Sequence, residues 1–70
     1  MFVNLQEVAK ALNIKLESIY KVLNRCGYAR ILNLSSEQTN EFINCLENEK
    51  THYRTKLLII ELKRNLDNLK

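Results

Sequence analysis

The chain holds a single glycine, Gly27, and no proline among its 70 residues. Glycine and proline let a backbone reverse sharply, so a sandwich or barrel, which needs many tight connections, has too few turn-formers here. The sequence favours helices joined by a few turns. With 46% apolar and 27% charged residues it has the balance of an ordinary globular chain and is expected to fold. Seventy residues allow one small core and exclude a two-domain enzyme or a large enclosed active site, which puts function on a surface.

Eleven Lys and Arg against eight Asp and Glu leave a formal net charge of +3, which permits a polyanionic partner without requiring one. The distribution is more informative. Residues 1–30 carry +3, residues 31–50 carry −3 and residues 51–70 carry +3, so the cationic excess sits at the two ends. Two cysteines, Cys26 and Cys45, with one histidine, His52, fall short of the four ligands of a structural zinc site, so no metal and no cofactor is expected. Without a secretory signal both cysteines are read as small buried apolar side chains, a redox-active or dimer-linking thiol being the alternative. The longest apolar stretch, Leu57, Leu58, Ile59 and Ile60, is far below the roughly 20 residues that span a bilayer; no membrane contact and a cytoplasmic location are expected. His52 has no nucleophile, paired carboxylate or second histidine beside it. It is assigned to a surface or helix interface, and neither a catalytic residue nor a small-molecule substrate is expected.

Asn4 followed three residues later by Glu7 has the logic of a capping box and predicts a helix from Leu5. Its stripe Leu5, Val8, Ala9 and Leu12 keeps i, i+3, i+4, i+7 spacing, and Asn13 tolerates the left-handed conformation that ends it. A second stripe, Leu16, Ile19, Val22, Leu23 and Cys26, runs to Gly27 as the capping glycine. Residues 28–34 read as extended, with Ile31 and Leu32 expected to pair with Phe2 and Val3 in a two-stranded ribbon. Ser35 with Gln38 makes another capping box, so a third helix opens there and buries Phe42, Ile43 and Leu46. Residues 36–70 contain neither Gly nor Pro, which allows one helix of roughly 50 Å or two helices meeting near residues 48–51. Ile59, Leu62, Leu66 and Leu69 keep the 3-4-3 spacing of a coiled-coil seam; together with Leu57 and Ile60 they are the expected dimerisation residues, a back-packed helix fitting the same pattern.

The informative stretch is LQEVAKALNIKLESIYKVLNR, residues 5–25. Two short helices crossing at a tight turn need a small residue at the crossing, a residue tolerant of positive φ in the turn, and branched apolar residues on the second helix. Ala9, Asn13, Ile19 and Val22 stand in that order, with Asn13, Ile19 and Val22 four, ten and thirteen residues after Ala9. In this the chain resembles the bacterial helix-turn-helix family. Residues 8–24 are similar to the start of lac-repressor-type regulators. The wider order over residues 2–46, a strand, two helices, Gly27, an extended segment and a third helix, resembles excisionase and MerR-like winged modules.

The resemblance implies a mainly α fold: a helix-turn-helix with a minimal two-stranded ribbon, a supporting third helix and a C-terminal dimerisation helix. Residues 1–48 would be the DNA-binding domain and residues 49–70 the dimerisation helix. Two departures stand out. Asn13 replaces the usual turn glycine, at little cost. Lys15 replaces the Ser or Thr that normally caps the second helix, a loss of roughly 0.5 to 2 kcal/mol with a cation added at a positive helix end. A phosphate docked there would account for it. The segment after Gly27 is also shorter than a usual wing.

By position the resemblance assigns Leu16, Glu17, Tyr20 and Lys21 to base edges in the major groove, and Lys15, Asn24 and Arg25 to flanking phosphates. Lys21 suits guanine O6 and N7, Glu17 suits cytosine N4 or orients Lys21 as its i+4 partner, and Leu16 suits a thymine methyl. Arg30 and Lys10 add charge towards the backbone, which supplies affinity without sequence information. The implied function is sequence-specific binding of double-stranded DNA by a homodimer, in the manner of a transcriptional repressor, an excisionase-like accessory factor or a plasmid-partition factor. The competing expectation is a protein-interaction adaptor or inhibitor that keeps this packing and binds a protein through its C-terminal helix. The residues alone also allow Lys10, Glu17 and Lys21 to be a solvated face, and Leu16 and Tyr20 to pack inward.

Overall fold

The computed structural model describes residues 1–49 and 53–69; His52, with its expected surface or helix-interface role, lies outside the described residues, as do Lys50, Thr51 and Lys70. Within them the chain is mainly helical, in the order β1 (Phe2–Asn4), α1 (Leu5–Leu12), α2 (Leu16–Arg25), β2 (Asn33–Ser35), α3 (Ser36–Asn48) and α4 (Tyr53–Asp67).

Each strand ends on the residue that caps the helix behind it. Asn4 Oδ1 accepts from the N–H groups of Gln6 at 2.8 Å and Glu7 at 3.3 Å. Ser35 Oγ accepts from Gln38 N–H at 3.1 Å while Gln38 Oε1 accepts from Ser35 N–H at 3.0 Å, a complete capping box. The helix ends are as local. Asn13 sits at φ 55°, ψ 45°, and Ile14 N–H donates to the Ala9 carbonyl at 3.0 Å, closing α1 as a Schellman turn. Gly27, at φ 85°, does the same for α2: Tyr28 N–H donates to the Leu23 carbonyl at 3.0 Å and Gly27 N–H to that of Asn24 at 3.1 Å.

The ribbon forms, but not where the apolar pair Ile31 and Leu32 predicted it. β1 pairs antiparallel with β2 in the register Phe2↔Ser35, Val3↔Leu34 and Asn4↔Asn33. Side chains alternate across a strand, and Val3 faces the core, so its partner must be an apolar residue that also faces inward. Leu34, with no exposed surface, meets that need; Leu32 remains at the surface. Leu32 still extends the ribbon through its carbonyl, which accepts from Leu5 N–H at 2.9 Å.

Glu49 is extended at φ −82°, ψ 156°, so the breaker-free C-terminal region is two helices and α4 returns along the molecule. It packs on α1, α3 and β1. Leu58, Ile59 and Leu62 are buried with Val3, Leu5, Val8, Ile19, Leu23, Leu34, Phe42 and Leu46, and Leu66 and Leu69 lie half-buried against them. The seam expected to face a second copy therefore faces its own chain. Leu57 and Ile60 alone of that set stay exposed. A 3-4-3 stripe is the same whichever surface covers it, and a helix tethered to its partner meets it at a far higher effective concentration than a separate molecule does. α3 and α4 are thus successive helices that share one buried cluster.

Cys26 and Cys45 are also corrected. They are joined in a disulfide, with Cα atoms 6.2 Å apart, and both are half-buried, outside the buried core. No helix among the described residues is long and apolar enough to cross a membrane.

Candidate nucleic-acid interface

The outer face of α2 follows from its helical phase. Ile19 and Leu23 point into the core without exposed surface, which turns Glu17, Lys21 and Asn24 to solvent on the opposite side. Lys15 precedes the helix in an extended conformation, φ −78°, ψ 142°, and supplies no side-chain cap, so the first amides of α2 have no side-chain acceptor there. A helix start of that kind presents aligned N–H groups and a partial positive charge to any anion that approaches. Lys15 is exposed beside it.

Residues 15–30 carry Lys15, Lys21, Arg25 and Arg30 against Glu17, a surplus of three positive charges over one helix and its flanks. Among the described residues neither Lys15 nor Lys21 makes an ion pair; the two arginines do. Arg25 donates to Glu49 at 3.3 Å. Arg30 donates to Glu17 and its guanidinium lies over the Tyr20 ring, 4.8 Å from the centroid. Glu17 thus turns to Arg30 rather than orienting Lys21, because a planar guanidinium stacked on Tyr20 holds its fork against the carboxylate while the lysine four residues on is free to solvate. Both pairs are exposed and hold their cations weakly.

Leu16 and Tyr20 are half-buried and pack against the core, so each offers one edge to solvent. Lys10 is exposed on α1. The side chains of Glu17, Tyr20, Lys21, Asn24, Tyr28 and Arg30 together line one shallow concavity. Tyr28 is the member that sequence reasoning missed. It follows the C-cap glycine of α2, a position whose direction is set by the Schellman turn and not by helical spacing. Its ring stands edge-on to Phe42, with centroids 6.1 Å apart, and its hydroxyl donates to Glu41 at 3.0 Å. Partial burial, then the hydrogen bond to Glu41 and that carboxylate's charge, push the Tyr28 phenol above the usual tyrosine range, so it is a neutral donor at physiological pH.

Cys26, Cys45 and Glu49 are brought together at the C-terminal end of α2, their sulfur and carboxylate atoms within 4.8 Å of one another. With both sulfurs bonded to each other, that group offers no thiolate to a metal.

Comparison of this chain with protein-family models, with curated proteins and with solved structures gives no match. What it does has to be read from its own residues.

Proposed function

We propose that this chain binds double-stranded DNA, with α1, the turn at residues 13–15 and α2 acting as a helix-turn-helix and α2 entering the major groove. One observation carries the reading: the outer face of α2 is cationic and exposed, beside a helix start that its own N-cap residue leaves uncapped, while the opposite face of the same helix is locked into the core. Lys21 and Glu17 read base edges, with the exposed edges of Leu16 and Tyr20 beside them. Lys15 and the first amides of α2 take a phosphate. Asn24, Arg25 and Arg30 contact the flanking backbone, the arginines exchanging their carboxylates for phosphates.

A single module of this size reads few bases, so two copies on a symmetric site are part of the proposal. With Ile59 and Leu62 in the core and Leu66 and Leu69 packed against it, pairing falls to Leu57 and Ile60. Repression, an accessory role in excision and plasmid partition all use such a contact, and a DNA ligand implies a cytoplasmic protein.

Binding to a mixed pool of duplexes across a salt titration tests this. The logarithm of affinity falls with the logarithm of salt by about 0.9 per phosphate contact, near 3.6 per chain if four cations engage. Lys21→Ala weakens binding by about 1–3 kcal/mol together with sequence preference, whereas Lys10→Ala weakens all sequences alike. Affinity that does not change with salt would replace this reading with the protein-binding adaptor.

A further inference from the structure

The bond between Cys26 and Cys45 is placed unlike one that holds a core together. Neither cysteine belongs to the buried cluster itself; Cys26 packs against its edge, and Cys45 is half-buried. What the bond closes is a loop, 19 residues in sequence, that contains residues 27–32, the irregular stretch between α2 and β2. This stretch is fixed by the Schellman turn at one end and by the Leu5–Leu32 backbone hydrogen bond at the other. Between those ends Tyr28 meets Glu41 and Arg30 meets Glu17 and Tyr20 at the surface, while the Tyr28 ring stands against Phe42 and Ile31 packs on the core, each only partly buried. Tyr28 and Arg30 are also the part of the concavity that α2 does not itself provide. Both cysteines are half-buried rather than enclosed in the core.

A second line comes from the ligand. Double-stranded DNA is met in compartments where thiol pools keep cysteines reduced, and a disulfide there is a transient, catalytic or sensing one. We infer that Cys26 and Cys45 are a reversible thiol–disulfide pair that sets how firmly residues 27–32 are held against α2 and α3, and thereby tunes the DNA face. This rests on the proposed function. The chemistry is a two-step exchange with a dithiol. Its thiolate attacks one sulfur, the Cys26–Cys45 bond breaks as a mixed disulfide forms, and the reductant's second thiol displaces the cysteine. Two electrons and two protons pass to the cysteine pair, and the reductant leaves as its own disulfide. Oxidation by a disulfide reverses each step. The oxidised form has Tyr28 and Arg30 already in place, so it binds without the cost of ordering them.

The test compares oxidised protein, protein reduced with dithiothreitol, and the double variant Cys26→Ser, Cys45→Ser, by hydrogen exchange and by binding to a mixed pool of duplexes at fixed salt. In the reduced and serine forms, the amides of residues 27–32 lose protection while those of Leu23, Phe42 and Leu46 keep theirs. Affinity drops by about 3- to 10-fold, and the serine variant no longer responds to dithiothreitol. Equal protection and equal affinity in all three forms would overturn the inference, as would loss of core protection on reduction, which would make the bond a staple of the fold. If no form binds duplex, the DNA reading fails by itself, and the exchange at residues 27–32 still decides whether the pair controls this segment.

Discussion

Replacing Leu62 with alanine separates a C-terminal helix that completes the core from one that serves mainly to join two chains. Leu62 has no exposed surface and belongs to one buried cluster with Leu5, Val8 and Leu46, which lie on elements that α4 packs against. Truncation there removes buried methyl groups and leaves a cavity that a packed core fills only partly, which costs about 2–5 kcal/mol. A chain of 70 residues has a total stability of roughly 3.5–10 kcal/mol, so the variant loses a large share of it, and its Tm falls by about 10–20 °C or more. Ile60, two residues away on another face of α4, is 62% exposed; Ile60→Ala changes stability by less than about 0.5 kcal/mol. Thermal unfolding followed by circular dichroism, run at two protein concentrations roughly a hundred-fold apart, distinguishes the cases. If α4 belongs to the core, Leu62→Ala is strongly destabilised at both concentrations and by the same amount. A variant that unfolds like the parent when concentrated but loses stability on dilution would refute the reasoning, because the burial of Leu62 would then come from a second copy.

Three further outcomes follow from the interface. Lys15→Ser restores a side-chain cap to α2 and stabilises the fold by about 0.5–2 kcal/mol in urea titration, yet weakens DNA binding because a phosphate contact is lost; stabilisation with unchanged affinity would remove the phosphate from the helix start. Glu17→Gln frees Arg30 and removes the carboxylate of α2, so affinity for a mixed pool of duplexes rises several-fold and the preference that Glu17 supplies is lost, while Tm hardly moves, the pair being exposed on both sides. Tyr28 has its phenol pKa raised by folding, so its contribution to stability is present below the unfolded value of about 10 and is lost as pH climbs through the folded one. Tyr28→Phe therefore flattens the alkaline limb of the stability curve; an unchanged limb would mean that neither burial nor Glu41 raises that phenol on folding.

The parts legible in the sequence are those decided within a few residues. Asn4, Asn13, Gly27 and the pair Ser35 and Gln38 mark the helix ends because capping is a local exchange of hydrogen bonds; Asn4 caps α1 through its own side chain, without the reciprocal Glu7 bond of the box its spacing suggested, and the box forms at Ser35 and Gln38. The apolar stripes identify Leu5, Val8, Ile19, Leu23, Phe42 and Leu46 as core for the same reason. What spacing leaves open is which distant surface each stripe meets. Leu34 rather than Leu32 opposes Val3 because of a register set across thirty-one residues, and the joining of Cys26 to Cys45 depends on how α2 lies on α3. At the candidate site Lys21 and Asn24 are exposed as helical phase requires and Lys15 as the extended residue before α2, while the pairing of Glu17 with Arg30 and the arrival of Tyr28 depend on where the chain goes after Gly27.

The position of α4 bears on function as well as on stability. Residues 1–49 alone approach the size below which a domain needs a disulfide, a metal or a partner to fold, and their helices α1 and α3 have apolar faces to cover. A second copy laid across those faces would have served, at the price of making folding depend on concentration. α4 instead covers α1, α3 and β1, and Glu17, Lys21 and Asn24 on α2 stay open to solvent. α4 thus completes the core within one chain, and its Thr55, Leu57 and Leu58 also line a cleft with Ser18, Ile19 and Val22 of α2 while the Glu17, Lys21 and Asn24 face stays open. That arrangement leaves α2 buried along one face and free along the other, which under the proposed DNA reading lets it enter a groove without shifting on its support. It also makes the core complete in one molecule, so any pairing of two copies through Leu57 and Ile60 can strengthen with DNA and dissolve without it while each chain stays folded.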